Sequence, residues 1–174
     1  MQELVERLKN KEEAAFKELM TKFKIPLYRY IMTMVRNDEL AEELTQDTFV
    51  KVYFKIGTMR TDNLKSWMYT IATNLVRSEF RKKRIKAVFS LSDVNELEMS
   101  YTESTDEKDF VWSLISELPE KYRTPIIMKE INSFTFEEIS GILKKPIGTI
   151  KTLVFRGKSR MKKRFDELRK DERI

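Results

Sequence analysis

The residues of this chain best suited to chemistry are the basic and aromatic side chains that crowd its last third. From Thr149 to Arg164 the sequence reads T-I-K-T-L-V-F-R-G-K-S-R-M-K-K-R, with seven Lys or Arg residues. Ammonium and guanidinium groups bind phosphate, and guanidinium also donates paired hydrogen bonds to the edges of nucleic-acid bases. The chain has no cysteine and no histidine. Disulfides, the usual zinc ligand sets and histidine acid–base catalysis are therefore excluded. Carboxylate sites for magnesium and binding to a polyanion both remain open.

Two helices are predicted to position these basic residues. The first opens at Thr135, with Glu138 three positions later in the spacing of a capping box. It ends at residues 144–146, Lys-Lys-Pro, because proline cannot continue a helix and restrains the residue before it. A second helix begins near Gly148. Two helices joined by a tight turn, the second of them basic, are typical of a helix-turn-helix, which places its second helix in the DNA major groove. The expected core positions of this motif are Ile139, Ile142, Leu143, Ile147, Ile150 and Val154.

Composition favours an all-helical protein. The 174 residues are 41% hydrophobic and include only 4 Gly and 4 Pro, so cores can form and helix-breaking residues are rare. The net charge is +6, carried as two basic blocks, residues 1–86 and 113–174, on either side of an acidic stretch. Basic blocks suggest polyanion partners, although a solvated charged surface gives the same pattern.

Helical spacing also fills the N-terminal half. Apolar positions at helical spacing run from Leu4 to Phe23, and Pro26 marks a boundary or the first turn of the next helix. A second helix is predicted to follow from Leu27 through Val35. Asn37 is the expected N-cap of a helix over residues 38–56, and a loop from Gly57 to Asn63 leads to a helix over residues 64–86.

The expected fold is therefore all-α, with two small helical domains. These are residues 1–86 and residues 108–174, the latter a helix-turn-helix domain. The acidic, Ser- and Asn-rich residues 87–107 are predicted to be a flexible linker between them.

An acidic stripe interrupts the basic N-terminal block. Its members are spaced to share one helix face, and they are Asp38, Glu39, Glu42, Glu43 and Asp47. Such a stripe suits docking on a basic partner surface. Taken alone, the pattern is more typical of a helix N-terminus, where the helix dipole favours negative charge.

Several motifs in order resemble one family. W-M-Y-T-I-A-T-N-L at 67–75, followed by F-R-K-K-R at 80–84, resembles the promoter-melting segment of bacterial extracytoplasmic-function sigma factors, group 4 of the sigma-70 family. L-A-E-E-L-T-Q-D-T-F-V-K-V-Y at 40–53 resembles the segment with which they grip the clamp helices of RNA polymerase. L-P-E-K-Y-R at 118–123 and P-I-G-T-I-K-T-L-V-F-R-G-K at 146–158 resemble their C-terminal helix-turn-helix. The set covers nearly the whole chain.

This resemblance implies an alternative sigma factor that directs promoter-specific initiation and is itself no enzyme. The implied partners are core RNA polymerase, through its clamp helices and flap, promoter DNA, and an anti-sigma factor. No cofactor or metal is implied. No apolar run approaches the ~20 residues of a membrane span, and the N-terminus lacks the apolar segment of a secretory signal, so a cytoplasmic protein without direct membrane insertion is expected.

The resemblance also assigns roles to individual residues. Contacts to core polymerase are implied for Glu43, Gln46, Asp47 and Phe49. Contacts to the −10 strand are implied for Lys51, Lys55, Met59, Arg60, Trp67, Asn74, Arg77, Arg81 and Lys82. Contacts to the −35 duplex are implied for Thr149, Lys151, Thr152, Phe155, Arg156 and Lys158. Core packing is an open alternative for Phe49, Trp67 and Phe155, and at the spacing of Trp67 it is the stronger one.

Two other functions compete. A stand-alone helix-turn-helix regulator with an N-terminal sensor domain would bind a palindrome as a dimer without polymerase. It would leave the acidic stripe and the segment 67–84 without a purpose. A carboxylate-metal nuclease is disfavoured because the Asp and Glu residues form no convergent cluster at helical spacing.

Overall fold

The computed structural model describes residues 2–89 and 107–171. All regular elements in these two ranges are helical, as predicted. The chain divides into two compact units between Met99 and Ser100. The predicted limits of the domains remain a prediction, and residues 90–106 of the expected linker lie outside the described residues.

The N-terminal unit is built from four helices. They are α1 (Gln2–Lys9), α2 (Glu13–Val35), α3 (Asp38–Lys55) and α4 (Leu64–Phe89), with a 3₁₀ turn at Ile56–Thr58. Helix α3 packs against both α2 and α4. The helix α4 extends three residues beyond the predicted end at residue 86.

The core of this unit contains a polar contact between two helices. Tyr30 on α2 and Tyr69 on α4 are both fully buried, with ring centroids 4.9 Å apart. The hydroxyl of Tyr30 lies 2.8 Å from Oγ1 of buried Thr73. Because a buried hydroxyl needs a partner, this contact fixes the register of α4 against α2.

The first helical break was predicted at the wrong place. Pro26 lies inside the continuous helix α2 and not at a boundary. The chain breaks instead at residues 10–12, where Lys11 adopts a left-handed backbone with φ 62°. Its side chain donates to the Tyr53 carbonyl at the end of α3 and lies over the Tyr53 ring, so tertiary contacts hold the turn that no glycine marks.

The start of α3 agrees with the prediction. Arg36 ends α2 in a left-handed conformation, and Oδ1 of Asn37 then accepts a hydrogen bond of 2.7 Å from the Leu40 amide. This N-cap satisfies one of the amide groups that a helix start leaves without an intrahelical partner.

The C-terminal unit contains the predicted helix-turn-helix. Its helices are α5 (Glu107–Glu117), α6 (Glu120–Ile126), α7 (Phe136–Leu143) and α8 (Ile147–Asp171), and a π-helical segment, Ile127–Ile131, continues α6. Helix α8 packs on α6 and α7, and also contacts α5. Five of the six expected core positions of the motif are buried, whereas Ile147 at the start of α8 is 37% exposed.

Candidate nucleic-acid interface

The helix-turn-helix is held by side-chain contacts at the start of α7 and at the turn before α8. Oγ1 of Thr135 accepts from the Glu138 amide and the Glu138 carboxylate accepts from the Thr135 amide, which completes the predicted capping box. Lys144 then takes a left-handed conformation with φ 54°, and the Ser140 hydroxyl donates to the Lys145 carbonyl at 2.6 Å. These contacts position the start of α8, whose outer face carries the predicted −35 residues.

That outer face is open to solvent. All six residues predicted for the −35 duplex have exposed side chains, and the Phe155 ring is 74% exposed. Phe155 therefore lies on the outer face, and the alternative that it packs in the core is wrong. The inner face of the same helix carries buried Ile150, Val154 and Gly157, so one helix presents two distinct surfaces.

Two of these cations have partners within the unit. Lys158 Nζ lies 2.9 Å from Glu130 Oε1 on the π-helical segment. Lys151 Nζ lies 5.8 Å from the centroid of the Phe136 ring, and Lys129 lies over the same ring at 4.7 Å. Lys158 is thus partly neutralised, an arrangement that sequence reasoning did not anticipate.

The residues predicted for the −10 strand are mostly exposed. Lys51 and Lys55 lie on the outer side of α3, and Asn74, Arg77, Arg81 and Lys82 on the outer side of α4, with Arg60 in the loop between the helices. Met59 and Trp67 are half-buried. Trp67 therefore contributes to packing while part of its surface remains available.

The loop between α3 and α4 is held by hydrogen bonds from its own side chains. Thr61 Oγ1 accepts from the Asn63 amide at 3.2 Å, and Asn63 Oδ1 accepts from the Ser66 amide at 2.9 Å. Asn63 thereby caps α4, and the loop brings Arg60 to the end where α3 and α4 meet.

Three of the four residues predicted to contact polymerase, Glu43, Gln46 and Asp47, are exposed on α3. Phe49 is only 7% exposed. The prediction that the Phe49 ring makes an exposed contact with polymerase is therefore corrected. The side chain has a packing role, and it turns towards α2, where it lines a groove.

Sequence reasoning missed this groove, which runs between α2 and α3. It has a volume of about 740 Å³, and a neighbouring cavity of about 300 Å³ lies beside Tyr28 and Glu42. Large apolar side chains that line the groove are exposed, with Val50 at 51% and Met20 at 45%, and Ile25, which lines the neighbouring cavity, is 61% exposed. No pattern in the sequence marks the groove, because apolar residues that line a groove between helices have the same spacing as residues that line a core. Its lining residues include Phe16, Met20, Lys24, Gln46, Phe49, Val50 and Tyr53.

One member of the acidic stripe is engaged within the unit. The Tyr28 hydroxyl on α2 donates to Asp38 Oδ1. This hydrogen bond, followed by burial, raises the pKa of Tyr28 to about 12. Within residues 2–89 and 107–171, no group of acidic residues is arranged to hold a metal ion. In the same ranges no helix has the length and apolar content to cross a bilayer.

Comparisons with known proteins agree with this geometry. The model of Sigma-70 region 2 matches residues 19–85, and that of Sigma-70, region 4, matches residues 111–161. The ECF RNA polymerase sigma factor SigW of Bacillus subtilis is 28% identical over 179 aligned positions, which cover 94% of this chain and 96% of SigW. The RNA polymerase sigma-H factor of Pseudomonas aeruginosa is 26% identical, over 96% of this chain and 94% of that protein.

A solved structure gives the same result. The sigma factor RpoE from Bartonella quintana, in complex with the anti-sigma factor NepR, superimposes with a TM-score of 0.72 and 27% identity, over 85% of this chain and 94% of RpoE. The two family models match in the order of the two units, region 2 on the groove and the α3–α4 loop and region 4 on the helix-turn-helix. The chain belongs to the sigma-70 family of RNA polymerase sigma factors, and within it to the extracytoplasmic-function type.

Proposed function

We propose that the two units of this sigma factor divide the work of promoter recognition. The N-terminal unit binds the clamp helices of core RNA polymerase and captures the melted −10 strand. The C-terminal unit binds the polymerase flap and reads the −35 duplex through the outer face of α8. The observation that supports the division best is the exposed basic face of α8. This helix follows α7, which has a complete capping box at its start.

Polymerase binding is assigned to the acidic stripe together with the groove beside it. Gln46, which is not itself acidic, lies between Glu43 and Asp47 of the stripe, is exposed on α3 and also lines the groove. Exposed apolar side chains at the margin, such as Val50, supply burial on docking, while the carboxylates of Glu43 and Asp47 orient the partner. Apolar surface rimmed by charge is typical of a protein-binding site.

Capture of the −10 strand is assigned to the end of the unit where α3 and α4 meet. Binding to single-stranded DNA needs cations for the phosphates and groups that contact bases. Lys51, Lys55 and Arg60 supply the first, and Asn74, Met59 and the exposed part of Trp67 supply the second. The chain itself catalyses no step, because bond formation belongs to the polymerase, with which it works in the cytoplasm.

An anti-sigma factor is proposed to control this protein. RpoE of Bartonella quintana, which is 27% identical to this chain where the two structures match, was solved in complex with the anti-sigma factor NepR. The stand-alone regulator is set aside, because the N-terminal unit matches Sigma-70 region 2 over residues 19–85 and is not an unrelated sensor domain.

The test is transcription by purified bacterial core polymerase on a pool of promoter fragments, with and without this chain. Transcripts with defined start sites should form only when the chain is present, and their templates give the promoter. If no such transcripts form and the chain does not comigrate with core polymerase, the proposed function is wrong.

Two pairs of variants assign the surfaces. Asp47→Lys should abolish comigration with core polymerase, whereas Glu3→Lys makes the same charge change on α1 and should not. Arg156→Gln should reduce transcription from −35-dependent templates, whereas Arg169→Gln alters α8 about 20 Å away at 1.5 Å per residue and should have little effect. Equal effects within a pair would contradict the assignment of that surface.

A further inference from the structure

Gly157 occupies an unexpected place in α8. Glycine is unfavourable inside helices, and this one lies in the middle of a 25-residue helix. None of the glycines in the described part of the chain has a positive φ, so the backbone conformation does not require it. Gly157 is buried, whereas its neighbours Arg156 and Lys158 are exposed. A packing reason is therefore needed.

The packing reason is the close approach of α8 to α6. A Cβ atom at position 157 would lie 2.3 Å from Ile126 Cδ1, 3.3 Å from Ile126 Cγ1 and 3.2 Å from Tyr122 Cβ. The Cδ1 atom can rotate away only into a packed core, since Ile126 is 2% exposed. Tyr122 Cβ is attached directly to the backbone and cannot rotate away. A methyl group at position 157 would therefore move α8 relative to α6.

Such a movement matters because the adjacent residues are those proposed to face the DNA. Arg156 precedes Gly157 directly, and Arg160, one turn further, lies 5.2 Å from the centroid of the Tyr122 ring and continues the contact with α6. Hydrogen bonds to base edges require side chains held within about 0.5 Å of the productive geometry. Phosphate contacts by flexible lysines tolerate more displacement, because they depend mainly on charge.

We propose that Gly157 is a positioning residue for −35 recognition. It fixes how closely α8 packs on α6 and thereby how far Arg156 and Lys151 extend into the major groove. This inference rests on the proposed function of α8. It predicts that added volume at position 157 lowers sequence discrimination while leaving non-specific affinity intact. It also predicts that space created at Ile126 restores discrimination.

The experiment compares holoenzymes made with Gly157→Ala, Ile126→Val and the double variant. Valine lacks Cδ1, the atom closest to the added methyl group. The probes are a promoter duplex recovered from the transcription screen and the same duplex with its −35 element scrambled. The control is Gly141→Ala in α7, where nothing lies within 4 Å of the added Cβ.

Gly157→Ala should reduce the affinity ratio between the two duplexes about tenfold, the loss of roughly one base contact. Its affinity for the scrambled duplex and for core polymerase, and its far-UV circular dichroism, should stay unchanged. The double variant should recover the ratio, and Ile126→Val and Gly141→Ala should keep it.

Two results would overturn the inference: an unchanged ratio in Gly157→Ala, or a loss that Ile126→Val does not restore. If the single variant Gly157→Ala is too unstable to purify, the double variant is compared with Ile126→Val. A lower affinity ratio in the double variant, together with normal stability, overturns the inference. A wild-type holoenzyme without any −35 preference would instead refute the proposed role of α8, and this inference with it.

Discussion

The hydrogen bond from Tyr28 to Asp38 joins two helices at the edge of the proposed polymerase surface. It retains the proton on Tyr28, whose pKa is raised from 10.0 to about 12. As pH rises from 10 to about 12, the unfolded chain loses this proton before the folded chain does. The stability that the contact contributes is therefore fully present below pH 10 and is lost by about pH 12.

Tyr28→Phe tests this contact. The variant should be less stable than the wild type at pH 8, by on the order of 1 kcal/mol for a lost hydrogen bond. The difference should shrink between pH 10 and about 12, because only the wild type loses the contact there. Urea unfolding followed by circular dichroism at pH 8 and at pH 11 measures both. A difference that does not change with pH would contradict the assignment.

The ion pair between Glu130 and Lys158, 2.9 Å long, holds a residue that was predicted to contact DNA. Glu130→Gln would free Lys158 to bind a phosphate. Non-specific duplex affinity should rise, and the slope of log affinity against log salt should steepen by about one unit for one added phosphate contact. Fluorescence anisotropy with a labelled duplex over a series of salt concentrations measures this slope.

A second charge removal serves as the control. Glu120→Gln deletes a carboxylate on α6 for which the described part of the chain shows no ion pair, and it leaves Lys158 bound to Glu130. Its slope should stay close to that of the wild type. Equal slopes for the two variants would mean that net charge, and not release of Lys158, governs binding.

Single residues also show where the sequence was informative. The resemblance to the family assigned Lys151 and Arg156 to one DNA-facing surface, and both are exposed. It could not settle Phe49, which is buried, or Phe155, which is exposed. An aromatic residue fits either a core or a binding face, and only the packing of neighbouring helices decides. The groove was missed for the same reason, since it exists only where α2 and α3 meet.

Among the helices, those with capping signals were predicted best. Asn37 and Thr135 were recognised because a side-chain oxygen before a helix satisfies its amide groups, and both caps are present. Pro26 misled, because α2 tolerates it in its interior. The turn at Lys11 carries no local signal, and its left-handed backbone is held by a contact with Tyr53, far away in the sequence.

The capping box of α7 should contribute measurably to the stability of the C-terminal unit. Thr135→Ala removes the acceptor for the Glu138 amide, which is 3.1 Å from Thr135 Oγ1, and should cost about 1 kcal/mol. Glu138→Ala removes the reciprocal bond to the Thr135 amide. Because each half of the box orients the other, the double variant should lose less than the sum of the two single losses.

Trp112 in α5 reports on this unit, while Trp67 lies in the other. Urea unfolding monitored by fluorescence in a Trp67→Phe background therefore follows the capped unit. Ser113→Ala in α5, whose hydroxyl donates to the Phe110 carbonyl within the same helix, is a control for loss of a hydroxyl outside the box. Additive losses in the double variant, or an equal loss in the control, would contradict a cooperative capping box.

At the scale of the whole molecule, charge and burial together define what the chain does alone. Its net charge of +6 favours approach to DNA by long-range attraction. The N-terminal unit offers little aromatic surface for stacking, because Tyr69 is fully buried against Tyr30 and Trp67 is half-buried. Long-range attraction brings the chain to DNA, but without stacking on unpaired bases the chain does not separate the strands.

The energies lead to the same expectation. Opening about ten base pairs costs ~1.4 kcal/mol per step, whereas each base stacked on an aromatic ring returns ~1–3 kcal/mol. A unit that captures only a few bases cannot supply the difference, so core polymerase must. The free chain should leave promoter thymines unreactive to permanganate, and the holoenzyme should make those of the −10 region reactive.

Asn74→Ala separates capture from assembly in this assay. Asn74 is exposed on α4 and lies outside the polymerase surface proposed here, so the variant should still comigrate with core polymerase but give weaker −10 reactivity. Gln2→Ala in α1, an exposed amide distant in sequence from the α3–α4 loop, should give wild-type reactivity. Reactive thymines with the free chain alone would show that it melts DNA without help, and the shared role of the polymerase would then be wrong.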